Sequence, residues 1–158
     1  MLVLCAIGLR SGRQMIRRLL TVVGTGPDLR LLHVIDVRPL HEVERVAGPL
    51  RHGPLGGPAR DRAISAAEEA AGSEALAGAL QEAQQAGGRA VMRLERGVPE
   101  HVVVAVAREI GASLVVVCAR EIPDGIALPG PASIGHTARF VIDHAPCDVL
   151  LLRFCAES

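Results

Sequence analysis

Short apolar runs and helical stripes alternate along this chain. Leu2–Ile7 is continuously apolar and is followed by Gly8. Such a run predicts a strand buried on both faces, as in the middle of a parallel sheet. Met15, Ile16, Leu19, Leu20 and Val23 then recur at helical spacing, with Arg13, Gln14, Arg17 and Arg18 on the other face. Ser11 is placed to cap this helix and Gly24 to end it. Leu31–Val37 predicts the second strand. Residues 38–62 break the rhythm with four prolines, four glycines and five arginines, so no continuous helix is expected there. From Ala63 to Ala86 an alanine-rich helix is expected, with Leu76, Leu80 and Ala83 on one stripe. Gly72 and Gly78 weaken it by about 1 kcal/mol each relative to alanine.

The second half is more regular. Arg89–Leu94 predicts strand three. Pro99 opens a helix whose inward stripe is Val102, Val103, Val106 and Ile110, and Gly111 closes it. Ser113–Cys118 predicts strand four. A loop spans 119–132, and Ser133 is placed to cap a last helix carrying Ile134, Val141 and Ile142 inward. Pro146 stops that helix, and Asp148–Arg153 predicts strand five. Five strands alternating with four helical segments define an α/β fold: a three-layer, open parallel five-stranded sheet with helices on both faces. The 158 residues leave room for one such domain, 1–158, with 38–62 as an excursion from it.

Composition narrows the chemistry. All 17 basic side chains are arginine, which removes any lysine Schiff base, phosphate-loop lysine or receiver-domain lysine. Basic and acidic residues balance at 17 each, with no Trp or Tyr and two Phe. Nucleic-acid binding by a basic, base-stacking surface is therefore not expected. No apolar run reaches the ~18–20 residues of a membrane span, and the nine-residue apolar start does not read as a signal peptide. A cytoplasmic setting is expected, with Cys5, Cys118, Cys147 and Cys155 as free thiols and no zinc site. Charge is uneven: residues 1–30 hold five Arg and one Asp, whereas 63–88 hold four Glu and no Arg. That pattern fits two solvated helix faces, or complementary docking to a partner.

In a doubly wound sheet, ligands bind beyond the carboxyl ends of the strands. Gly8–Arg10, Val37–Pro39, Glu95–Gly97 and Cys118–Arg120 fall there. The backbone N–H groups at 134–136 are donors at a helix start, suited to phosphate. GLRSG at 8–12 lacks the dinucleotide spacing, and there is no GxxxxGK[ST]. Cys118 with His136 is a candidate activated thiol for a small hydrolase or redox enzyme, against the simpler reading of Cys118 as a small buried hydrophobe. His33 reads as a packed core histidine, Asp36 as a turn cap or a cleft-facing acid, and His144 as a helix C-terminal residue.

Three blocks in order, LLHVIDVRP, RLERGVPEHVVVAVAREIGASLVVVCAR and ARFVIDHAPCDVLLLR, resemble the universal stress protein family over nearly the whole chain. The resemblance implies a Rossmann-like sheet of the adenine nucleotide alpha hydrolase type, order 3-2-1-4-5. It also implies a homodimer through the last strand, Val149–Arg153. Many members bind ATP with an acid after strand one, then Gly-x-x-Gly after strand four, nine residues, and Gly-Ser or Gly-Thr. Here the acidic position falls on Gly8, and Gly-x-x-Gly becomes Cys118-Ala119-Arg120-Glu121. The later glycine survives as Gly135, followed by His136, after 13 residues instead of nine. Val34 matches the strand-two valine whose backbone lines the adenine pocket in relatives. Glycines in such a loop let backbone approach phosphate, which cysteine and glutamate obstruct. The chain is thus expected to be a regulatory or stress-response domain with a degenerate ATP site, acting by dimerisation and partner contact and not by turnover. The alternative is a switch taking ATP with Mg, or AMP, on a variant loop, with Val34 and Gly135 as contacts.

Overall fold

The computed structural model describes residues 1–38, 58–120, 130 and 133–153. In chain order the elements are β1 (Leu2–Ala6), α1 (Gly12–Val23), β2 (Asp28–Asp36), α2 (Pro58–Gln85), β3 (Arg89–Gly97), α3 (Pro99–Ile110), β4 (Leu114–Cys118), α4 (His136–His144) and β5 (Asp148–Leu152). The strands form one sheet in the order β3-β2-β1-β4-β5, and every pairing is parallel. β1 is central, and Val3, Leu4 and Cys5 are fully buried, as its unbroken apolar run requires.

Strand alternation divides the core in two. Val3, Cys5 and Ile7 join Met15, Ile16 and Leu19 of α1 and Leu76, Ala79 and Ala83 of α2. Leu4 and Leu32 join Val103, Val106 and Ala107 of α3 and Ala138 and Val141 of α4 on the other side. Helices therefore cover both faces. Gly72 and Gly78 serve this packing: a Cβ on Gly72 would lie 2.5 Å from the His33 ring, and one on Gly78 would lie 2.9 Å from Arg13 Nε.

Several expectations are corrected. α2 starts at Pro58, inside the expected excursion, because proline suits the first helical turn and Asp61 complements the helix dipole there. Residues 39–57 of that excursion lie outside the described residues, as do 121–129 and 131–132 of the 119–132 loop. β2 starts three residues before Leu31, and β3 runs on to Gly97, since an edge strand tolerates the polar Glu95 and Arg96. Ser11 stands at the N-cap of α1 but makes no side-chain cap bond. α4 starts at His136 with Gly135 at its N-cap, so Ser133 does not cap it. Ile142 is 44% exposed and does not point inward. The inward face of α3 keeps Val103 and Val106 of the expected stripe, with Val102 and Ile110 packed partly buried against the core, and widens to include Glu100, Val104 and Ala107. Gly24 and Gly111 do end α1 and α3, both at positive φ.

Part of the uneven charge is paired within the chain. α1 packs on α2, and Arg17 Nε meets Glu82 Oε1 at 3.0 Å while Arg13 donates to Gln81. The Arg17 guanidinium holds the Glu82 carboxyl below the usual carboxylate range.

Candidate functional site

Strand order reverses between β1 and β4, and a cleft of about 250 Å³ opens at their carboxyl ends. Ala6, Gly8 and Ser11 form one wall, Val117, Cys118 and Ala119 the floor, and Thr137 and Ala138 of the first α4 turn the other wall. A larger groove of about 340 Å³ lies on the other side of the β1–α1 turn, between Leu9–Arg10, α1 and α2.

Each predicted site residue among the described ones has a definite place. Val34 lies two residues past Leu32, the last β2 partner of β1, so its backbone faces the strand end. Its side chain packs into the α3/α4 core. Gly135 has φ 81°, a conformation that favours glycine, and a Cβ there would sit 3.6 Å from Arg120 Cβ. Around it the backbone is tied down: Arg120 N donates to the Ser133 carbonyl at 2.8 Å, and Arg153 Nη1 donates to Ser133 Oγ at 2.8 Å. Ser133 Oγ in turn donates to the Gly130 carbonyl. Ser133 thus joins the exits of β4 and β5.

Cys118 and His136 have different partners. Ser11 Oγ donates weakly to Cys118 Sγ at 3.9 Å, whereas His136 Nε2 meets Glu100 Oε1 at 3.1 Å. The geometry gives no activated thiol–imidazole pair. Cys5, Cys118 and Cys147 are free thiols, and burial pushes the Cys5 thiol far up. Cys155 and Glu121 lie outside the described residues. His33 is buried and its Nδ1 bonds the Ile7 carbonyl at 2.8 Å, as a core histidine should. His144 Nδ1 reaches the Phe140 carbonyl in the last turn of α4.

The dominant polar feature is one that sequence reasoning missed. The Asp36 carboxylate accepts from the Arg38 backbone at 3.0 Å and from Arg38 Nη2 at 2.6 Å. Arg38 Nη1 donates to Glu100 Oε1 at 2.8 Å, and that same oxygen meets His136. The Arg38 hydrogen bonds hold the Asp36 carboxyl below the usual range. Glu100 is only 3% exposed, and its Oε2 is buried with no hydrogen-bond partner. Position 100 lies on the 100–103–104–107 stripe of α3, which was the available signal for its burial. Arg38 gave none, being the first residue of a proline- and glycine-rich stretch.

The chain Asp36–Arg38–Glu100–His136 runs from beside Val34 to beside Gly135, the two anchor points expected of a nucleotide. The buried Glu100 carboxylate lies beside the first residue of α4, within hydrogen-bond reach of His136.

Fold and cleft together define an open parallel α/β domain with a cleft at the β1/β4 switch, where such sheets take ligands. The universal stress protein family model matches residues 2–153, and the chain belongs to that family. No curated protein matches it. Among solved structures it is similar to the universal stress protein UspA from Lactobacillus plantarum, at 19% identity and TM-score 0.66, over 96% of this chain and 97% of that one. It is also similar to a universal stress family protein from Arabidopsis thaliana with AMP bound, at 15% identity and TM-score 0.62, over 98% and 92% of the two chains. A third is the universal stress protein from Archaeoglobus fulgidus in complex with dAMP, at 16% identity and TM-score 0.57, over 95% and 94%. No helix among the described residues is long and apolar enough to cross a membrane.

Proposed function

We propose that this chain is a regulatory stress-response domain that does not bind ATP in the conventional way and acts through self-association and partner contacts. The Asp36–Arg38–Glu100–His136 chain is the observation behind this reading. ATP laid from Val34 to Gly135 must part the 2.8 Å Arg38–Glu100 pair. Breaking a buried pair costs on the order of 3–5 kcal/mol, less here because Arg38 is partly solvated. Its phosphates must then lie against an acid. The dimer is assigned to Val149–Arg153: β5 is an edge strand whose Val149, Leu150 and Leu151 are only half-buried. A cytoplasmic setting agrees with the three unbridged cysteines.

The test is a titration of the purified protein with labelled ATP and Mg. No saturable binding near micromolar is expected, and tight saturable binding refutes the reading.

One observation favours a second reading, an AMP-type switch. Gly135 keeps its open backbone at the start of α4, and relatives of this fold have been solved with AMP and dAMP. A monophosphate asks less of a phosphate loop than a triphosphate does. Micromolar AMP binding that is lost on Gly135→Val would establish this alternative.

A further inference from the structure

Glu100 is the only carboxylate residue that is buried among the described residues. It occupies the first turn of α3, where a helix N-terminus favours an anion. Its Oε1 holds the Arg38 guanidinium at 2.8 Å and the His136 imidazole at 3.1 Å. His136 is itself the first residue of α4, so a second helix start lies one imidazole away. A guanidinium, an imidazole and a helix N-terminus are what a phosphate group seeks, and here they meet on a side chain of the protein. Packing does not account for the acid. Its neighbours on the stripe are Val103, Val104 and Ala107, and its Oε2 is left buried and unpaired, which is destabilising. An apolar residue would pack there without that penalty.

We propose that the Glu100 carboxylate is a resident anion, a built-in stand-in for phosphate that occupies the Arg38 and His136 donors beside the cleft and so keeps nucleotides from them. The proposal rests on the non-binding reading above and names the residue responsible for it. With Glu100 neutral or gone, Arg38 and His136 turn toward an external anion. Asp36 still orients Arg38, through the backbone bond at 3.0 Å and the guanidinium bonds.

The probes are inorganic phosphate and AMP, titrated calorimetrically into the wild type, Glu100→Ala and Glu100→Gln. Glu100→Gln keeps the volume and removes the charge, so it reads electrostatics alone. The wild type is expected to show no saturable binding up to millimolar probe. Both variants are expected to gain at least about tenfold in affinity, the effect of one modest charge repulsion removed. Adding Arg38→Ala to Glu100→Ala should abolish the gain. Variants that are folded by circular dichroism yet as silent as the wild type overturn the gate and leave the non-binding reading standing. Variants that both fail to fold overturn it as well, because the acid is then a structural requirement. A wild type that binds AMP as tightly as the variants overturns both.

Discussion

At the scale of single residues, Asp36 and Glu100 show what a sequence discloses and what it hides. Asp36 was read as either a turn cap or a cleft-facing acid. It is the cap, bonded to the Arg38 backbone two residues on, and also the first link of the polar chain. Because Arg38 lowers its folded-state pKa, Asp36 contributes stability that is fully present above the unfolded value of about 3.9. That contribution is lost as pH falls through the lower folded value. Urea midpoints between pH 6 and pH 2 should therefore fall more steeply for the wild type than for Asp36→Asn, with the difference confined to pH below about 5. Equal slopes would show that the Arg38 contact adds nothing. His33, His144, Gly24 and Gly111 were legible because each role follows from local chain position. Ser11 and Ser133 misled for the same reason. Their hydroxyls are taken by long-range partners, Cys118 and Arg153, which local pattern does not encode.

At the scale of elements, patterning placed every described strand and helix, while boundaries moved where tertiary contact extended them. β3 outruns its apolar residues because Arg93 pairs with Glu95 and with Glu109 of α3, which stabilises polar positions at an edge. The two glycines of α2 looked like equal flaws and are not. Gly72 lies under the His33 ring, a buried group held by the Ile7 carbonyl, whereas Gly78 faces the movable Arg13 side chain. Gly72→Ala should cost about 1–3 kcal/mol through overpacking. Gly78→Ala should be neutral or stabilising by up to about 1 kcal/mol, since helix propensity then dominates. Chemical denaturation of the two variants checks this, and the reverse order would contradict the packing described. The α3 stripe teaches a related lesson. The expected residues do face the core, but the buried face is wider and takes in a carboxylate, which an apolar-only template passes over.

At the scale of the whole molecule, the parallel order 3-2-1-4-5 places β1 and β4 side by side and puts the cleft between their ends. That much of the site was legible, because it follows from topology. The polar chain was not, because Arg38, Glu100 and His136 come from three separate parts of the sequence. The same topology leaves β5 at an edge, where the dimer is proposed. Val149→Arg puts a charge on that edge, and light scattering should then report a monomer with an unchanged circular dichroism spectrum. A dimer that survives the change belongs to another surface.

Native mass spectrometry of the protein, taken directly from cells and exchanged gently into a volatile buffer, weighs chain and cargo together. Species whose masses are whole multiples of the bare polypeptide are the predicted result, because on the proposed reading Glu100 holds the Arg38 and His136 side chains that an anion would need. A stoichiometric adduct of adenosine mono- or triphosphate would contradict that claim.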